Sequence, residues 1–167
     1  MNYFYLGVIV SVDIKMNVYL DLCVYNRPFD DQTQPRIMME TLGVIIIMAL
    51  VSSGEIKTIN SFALEYENLK NPELETKMIV YDMLQSASQF VKYSESIQKL
   101  AENLEPTGMM GIDALHLACA DQVDAEFFIT CDDNLIKRAH RTSKINVKVI
   151  SILEFIFKEV FKNETND

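Results

Sequence analysis

The chain has 167 residues, of which 49% are hydrophobic and 23% charged, and its formal net charge is −9. This length suits one domain with a single core, and the composition excludes an intrinsically disordered chain. The acidity argues against a protein that binds nucleic acid through a broadly basic surface. It leaves open a carboxylate-held divalent cation, which can itself contact phosphate.

The cysteines and the apolar runs bear on the compartment. Cys23, Cys119 and Cys131 lie in apolar contexts without CxxC spacing, which favours reduced core thiols over a metal or redox role. The run 42–51 is shorter than the about 20 residues that span a bilayer, so it predicts a buried helix. The run 3–12 lacks the basic start and cleavage pattern of a signal peptide. We therefore expect a soluble, cytoplasmic protein with no membrane partner.

Strand and helix patterns alternate along the first two thirds of the chain. In chain order we predict a strand at 17–21, a loop at 26–35, an apolar helix at about 35–53, a strand at 55–61, a short helix at 62–70, a helix from Pro72 to about Ser88, a possible strand at 89–94 and an amphipathic helix at 95–105.

The connection "EPTGMMG" (105–111) is followed by the same alternation. The elements are a helix from Asp113, a strand at 126–130, a basic helix from Asp132, a strand at 147–150 and a last helix from Ser151. Short apolar strands that alternate with helices are typical of a parallel sheet covered on both faces. The pattern therefore predicts a single α/β domain.

Several carboxylates fall where the predicted strands end. Asp21 ends the first strand, and Asp132 lies two residues beyond "FFI". Asp113 begins the helix that leads into that strand, and "ALEYE" follows a third strand. Because ligands of open α/β sheets gather at the carboxyl ends of the strands, we expect these acids to converge. Helix capping explains Asp113 or Asp132 singly, but a cluster of carboxylates without basic partners favours Mg²⁺ or Mn²⁺.

Four stretches, "VYLDLCVYNRPFDD", "SFALEYENLKNP", "IDALHLACA" and "AEFFITCDDNLIKRA", resemble in order the acid-bearing blocks of PIN-domain proteins. The resemblance implies a three-layer α/β/α sandwich around a central parallel sheet of about five strands. It also implies a metal-dependent ribonuclease, as in the toxins of VapBC toxin–antitoxin pairs. Bound Mg²⁺ or Mn²⁺ would activate water to hydrolyse RNA, leaving a 5′-phosphate and a 3′-hydroxyl. An antitoxin and a homodimer are the implied protein partners.

On this resemblance, the catalytic and metal-binding residues are Asp21, Glu67, Asp113 and Asp132. The second acid is ambiguous: family spacing favours Glu67, whereas helical periodicity places Glu65 nearer the apolar stripe. We choose Glu67.

One residue departs from the family pattern. Leu22 stands where the family has Ser or Thr, so a hydroxyl that would support the site is lost. Thr130 keeps a polar role near Asp132. His116 lies three residues after Asp113, and a structural role in the core is expected for it. Asp133, in the first turn of its helix, is expected to be exposed.

A basic segment follows the fourth acid. No acidic residue lies between Asp133 and Glu154, and the spacing predicts that Lys137, Arg141 and Lys144 share one helix stripe. We predict contacts to the RNA backbone from Arg27, Lys137, Arg138 and Arg141. The alternative is a solvated face at a helix C-terminus, where cations are favoured in any case.

Residues 1–15 lie outside the resemblance and are interpreted as an extension or a misassigned start before Met16. The nuclease domain is predicted over 16–161, with a polar tail at 162–167. Two other functions remain open. One is an inactive PIN-fold module that binds RNA or acts as a scaffold, which Leu22 favours. The other is a Mg²⁺-binding receiver-type signalling domain.

Overall fold

The computed structural model describes residues 4–5, 8–9, 16–109 and 111–161. Phe4–Tyr5 (β1) and Val8–Ile9 (β2) pair antiparallel. The other residues of the predicted extension, and the predicted tail at 162–167, lie outside the described residues.

Five parallel strands form the central sheet. They are β3 (Met16–Leu20), β4 (Ile56–Ser61), β5 (Gln89–Val91), β6 (Phe127–Thr130) and β7 (Lys148–Ser151), in the spatial order β5-β4-β3-β6-β7. Val18, Tyr19 and Leu20 of β3 are fully buried, although their side chains point alternately to the two faces of the sheet. Both faces are therefore covered, which confirms the predicted α/β fold with a five-stranded parallel sheet.

Helices flank the sheet, and all except the short first one, which was not predicted, follow the predicted order. They are α1 (Leu22–Asn26), α2 (Pro35–Ser52), α3 (Phe62–Leu69), α4 (Leu74–Gln85), α5 (Glu95–Leu104), α6 (Ile112–Gln122), α7 (Asp133–Ala139) and α8 (Ile152–Phe155), the last continued by a π-helical turn at Ile156–Val160. The three cysteines are free thiols within or against the core, as predicted.

The helix α2 is more exposed than predicted. Its inner face supplies the core residues Val44, Ile47 and Leu50. Gly43 lets α8 approach closely, since a Cβ there would lie 3.0 Å from Cγ1 of Ile152. The outer face leaves four large apolar side chains 44–56% exposed: Met38, Met39, Leu42 and Ile45. By length and composition alone α2 is apolar enough to cross a membrane, with 28% of it buried in the fold. The prediction of a buried helix therefore holds for one face only.

The strand order defines where a ligand would bind. Counted along the chain from β3, the sheet has the order 3-2-1-4-5, whereas receiver domains have the order 2-1-3-4-5. The receiver-type alternative is therefore wrong. The chain reverses its direction of winding at β3, so the topological switch point lies between β3 and β6. Open α/β sheets bind ligands in the crevice at the carboxyl ends of such a pair.

Candidate metal centre

Asp21 lies directly after β3 at the switch point, and only 9% of it is exposed. Its backbone N–H donates to the Ile129 carbonyl at 2.9 Å, which extends the β3–β6 ladder by one residue. In the side chain, Oδ1 accepts from the Leu22 N–H at 2.8 Å and Oδ2 from the Thr130 hydroxyl at 2.6 Å. Contacts from two neighbouring strand ends therefore hold the carboxylate in one direction.

The Thr130 hydroxyl joins two of the predicted acids. It donates to Asp21 Oδ2, and its oxygen accepts from the Asp132 backbone N–H at 3.1 Å. The Cys23 thiol also donates to Asp21 Oδ2, at 3.3 Å. The hydroxyl missing at Leu22 is thus matched by a hydroxyl that reaches Asp21 from β6.

The structure places the two candidates for the second acid differently. Glu67 lies on α3 with Oε2 at 2.7 Å from Nε2 of His116. Glu65 turns away, because its Oε1 accepts from the amides of Asn60 at 3.0 Å and Gln85 at 2.7 Å. Ligand atoms of Asp21, Glu67 and His116 all lie within 4.8 Å of one another, so the described residues bring Glu67 to the first acid.

His116 lies in α6, is 1% exposed, and has both ring nitrogens engaged. Its Nδ1 is 2.8 Å from the Tyr19 hydroxyl, which in turn lies 2.6 Å from Oγ of Ser61. Burial raises the pKa of Tyr19 well above its usual value, so the phenol stays neutral. Tyr19 and Ser61 were not predicted as part of the site. The available signal in the sequence was a hydroxyl-bearing residue near the end of each of two strands, one residue before the end of β3 and at the end of β4.

Asp113 and Asp132 face one guanidinium. Nη2 of Arg138 lies 3.3 Å from Asp113 Oδ2 and 3.9 Å from Asp132 Oδ2. Asp132 also caps α7, since its Oδ1 accepts from the N–H groups of Asn134 and Leu135. No capping hydrogen bond from the Asp113 side chain is present at the described start of α6. Capping therefore accounts for one of these acids and not for the other.

Burial raises the pKa of Asp113, and the neighbouring carboxylates of Asp21 and Asp132 raise it further, against the opposing effect of Arg138. The ionised form of Asp113 is therefore less favourable in the folded protein than in the unfolded chain. A group with a raised folded-state pKa loses its stabilising contribution as the pH rises through that pKa. At neutral pH, ionisation of Asp113 therefore lowers the free energy of unfolding.

We expect Asp113→Asn, in the presence of EDTA, to melt at a higher temperature than the wild type at pH 7. The gain should shrink as the pH is lowered, because protonation then relieves the wild type as well. Thermal unfolding followed by circular dichroism across this pH range measures both effects. Added Mn²⁺ should reverse the order, because ligand binding stabilises the folded form that binds it better. A lower melting temperature of the variant at pH 7 would contradict the expectation.

The basic segment differs from its prediction. The helix α7 ends at Ala139, so Arg141 and Lys144 lie beyond it and share no helix stripe with Lys137. The reason is that α7 buries Leu135 and Ala139, whereas the next position of that face, Ser143, is polar and exposed. Lys137 and Arg141 are exposed, and Arg138 is turned toward the acids.

Arg27 belongs to an ionic network beside the site. Its Nη1 lies 2.9 Å from Asp30, and its Nε lies 2.8 Å from Oε2 of Glu40, which is 1% exposed. The latter N–H is not aimed along the contact, so this contact is an ion pair rather than a hydrogen bond. Arg36 donates from Nε to Glu40, and its Nη1 and Nη2 each donate to one carboxylate oxygen of Asp133 at 2.7 Å. Asp133 therefore pairs with Arg36 and lies outside the acid cluster.

No family model and no curated protein sequence matches the chain. Among solved structures, the chain is similar to one chain of the crystal structure of VapBC2 from Rickettsia felis bound to a DNA fragment from their promoter. The TM-score is 0.51 at 18% sequence identity, and the match covers 81% of this chain and 98% of that chain. Identity this low shows the fold alone. The architecture is consistent with the PIN-like fold predicted from the sequence.

Proposed function

We propose that the protein is a divalent-metal-dependent endoribonuclease that hydrolyses RNA phosphodiester bonds and acts as the toxin of a toxin–antitoxin pair. The observation that carries the proposal is that ligand atoms of Asp21 and Glu67 lie within 4.8 Å of each other at the switch point of the sheet. Asp113 and Asp132, which share the guanidinium of Arg138, are proposed to complete the centre. The raised pKa of Asp113 supports it. Burial raises this pKa most, and the carboxylates of Asp21 and Asp132 raise it further although Arg138 opposes them, so the acids are not fully compensated by the basic residue beside them.

The donor set suits Mg²⁺ or Mn²⁺. Carboxylate oxygens are the ligands that both hard cations prefer. The oxygens of Asp21 and Glu67 lie close enough to each other for one ion to contact both. Bound there, the cation would lower the pKa of a coordinated water and neutralise charge on the scissile phosphate. No nucleophilic side chain is required for this chemistry.

The chain's own residues would orient the cation and the RNA. Thr130 and the Leu22 N–H fix the direction of Asp21. Arg138, whose Nη2 contacts Asp113 and lies 3.9 Å from Asp132, would contact a phosphate bound near those acids. Lys137 and Arg141 are exposed and would contact the RNA backbone without reading its bases.

A protein partner is part of the proposal. The outer face of α2 exposes several large apolar side chains, and contiguous apolar surface on a folded domain marks an interaction site. An antitoxin and a second copy of this chain are the two partners proposed for the protein.

The test is cleavage of single-stranded RNA by the purified protein with Mn²⁺, with Mg²⁺ and with EDTA. We expect cleavage with either cation, none with EDTA, and products with 5′-phosphate and 3′-hydroxyl ends. Products with 2′,3′-cyclic phosphates would contradict a metal-activated water. RNA binding without cleavage under every condition would instead support the inactive module.

The inactive RNA-binding or scaffolding module is the second candidate function. Leu22 favours it, because the hydroxyl implied by the family resemblance is missing directly after the first acid. The Thr130 hydroxyl weighs against it, since it bonds Asp21 Oδ2 from the neighbouring strand.

A further inference from the structure

A line of buried polar side chains ends at the second acid. It begins at Ser61, whose Oγ caps α3 by accepting the Leu64 N–H at 3.1 Å. The Tyr19 hydroxyl links Ser61 to Nδ1 of His116, and Nε2 of His116 reaches Glu67. Ser61, Tyr19 and His116 are each at most 1% exposed.

We propose that His116 is a positioning residue, which donates its Nε2–H to Glu67 and thereby holds that carboxylate beside Asp21. An ionised carboxylate only accepts hydrogen bonds, so the nitrogen that faces Glu67 carries the proton. The consequence for metal binding rests on the proposed function, whereas the hydrogen bond itself does not.

The surroundings of the ring fix its direction. Tyr19 lies on β3 and stacks on Phe128 of β6, with ring centroids 5.4 Å apart and planes 11° from parallel. Its hydroxyl therefore stands at a fixed place beneath α6 and holds Nδ1 of His116. With Nδ1 held, Nε2 points to Glu67 from a buried and rigid element.

Glu67 needs this support more than Asp21 does. Its side chain is 34% exposed and lies on α3, with three side-chain torsions between the backbone and the carboxylate. Asp21 is held by the Thr130 hydroxyl and the Leu22 N–H. Partners of this kind orient metal ligands, and their loss typically lowers metal affinity about 10–100-fold.

The first experiment observes the hydrogen bond directly in metal-free protein. Long-range ¹H–¹⁵N correlation spectra of histidine-labelled protein identify which ring nitrogen carries the proton. We expect a protonated Nε2 in His116, with a changed proton shift in Glu67→Gln. The variant His140→Gln removes the signals of the other histidine, so the remaining ring signals are assigned to His116. An unprotonated Nε2 in His116 would overturn the proposal whatever the protein does to RNA.

The second experiment measures Mn²⁺ affinity by electron paramagnetic resonance. We expect His116→Ala to weaken binding about 10–100-fold. His116→Gln should recover most of it, because its amide can donate to Glu67, and Tyr19→Phe should lose less than His116→Ala. In the Glu67→Gln background, His116→Ala should add no further loss, because the two residues act as one unit.

The matched control is His140→Ala, because His140 is exposed and its described hydrogen bond is to the Val149 carbonyl. It should bind Mn²⁺ as the wild type does, and far-UV circular dichroism should confirm that every variant is folded.

Equal affinity in wild type and His116→Ala would overturn the positioning role and leave the nuclease proposal standing. A ¹⁴N coupling from His116 to bound Mn²⁺ would also overturn it, since the residue would then be a ligand. A wild type that shows the Nε2–H bond but neither binds Mn²⁺ nor cleaves RNA would instead defeat the nuclease proposal, while the hydrogen bond would stand.

Discussion

Replacing Asp21 by Asn is expected to slow Mn²⁺-dependent cleavage of single-stranded RNA by about 100-fold or more. The substitution preserves the size of the side chain and removes the charge that lies at the switch point of the sheet. A metal ion contributes several kcal/mol to the transition state, and about 2.7 kcal/mol corresponds to a hundredfold in rate. Single-turnover cleavage of an end-labelled RNA at saturating protein measures the effect.

The two acids on α3 provide a matched control. Glu67→Gln should lose activity as Asp21→Asn does, whereas Glu65→Gln should cleave at close to the wild-type rate. Both substitutions make the same chemical change two residues apart, and the Glu65 carboxylate bonds Asn60 and Gln85. Cleavage that persists in both Asp21→Asn and Glu67→Gln would show that these carboxylates are not the metal centre. Loss in Glu65→Gln alone would exchange the roles of the two glutamates.

Glu40→Ala is expected to lower the free energy of unfolding by about 3–5 kcal/mol. Glu40 is 1% exposed and contacts both Arg27 and Arg36, so its removal leaves the half-buried Arg27 without its inner carboxylate. Breaking one partner of a buried pair costs far more than the pair contributes, because the remaining charge stays desolvated. At about 2–4 °C per kcal/mol for a chain of this size, the melting temperature should fall by roughly 10 °C. Urea unfolding followed by circular dichroism gives the free energy.

Arg36→Ala is the control for this network. Arg36 is 53% exposed, and its partner Asp133 is 50% exposed, so water already screens the pair. Exposed ion pairs contribute about 0–1 kcal/mol, so a loss of this size is expected from the variant. A loss below about 1 kcal/mol in Glu40→Ala would show that the buried carboxylate is not what holds the loop after α1 to α2.

Local patterns in the sequence predicted the elements of the fold well. The strand β6 is an apolar run that ends in Thr130, and β3 is apolar except for Asn17 and is followed by Asp21. The helix α2 lies between Pro35 and Gly54. These signals are local, so each could be read without knowledge of the remainder of the chain. The sequence could not exclude the receiver-type alternative, because strand order depends on pairing between distant residues and no local pattern indicates it.

The two wrong predictions concern the length of α7 and the burial of α2, and both depended on which face of the helix is covered. The stripe predicted for the basic segment required a helix to reach Lys144, but α7 ends at Ala139 where its buried face would meet Ser143. The helix α2 was predicted to be buried because its apolar run is too short to span a bilayer, yet its outer face lies uncovered. Hydrophobicity shows that a face can be buried, and it does not show what covers the face.

The sequence indicated the carboxylates of the candidate site, but it did not indicate the hydrogen bonds that hold them. Four carboxylates near strand ends could be read from the sequence, but periodicity could not choose between Glu65 and Glu67. In the structure it is Glu67 whose ligand atom lies near that of Asp21, and Glu67 bonds His116, 49 residues away in the chain. The hydroxyl of Thr130 was predicted only near Asp132, whereas it also bonds Asp21 across 109 residues.

The separation of Asp21 from Thr130 has a consequence for synthesis of the chain. The strand β3 is made early, but its neighbour β6 and the Thr130 hydroxyl are encoded 109 residues later. At about 5–20 residues per second, a ribosome needs roughly 5–20 s to cover that distance. Until then β3 lacks one of its two neighbouring strands, and Asp21 lacks the hydrogen bond from the Thr130 hydroxyl. A nascent chain that has not reached Asp132 therefore lacks both the Thr130 contact to Asp21 and the last acid of the proposed centre.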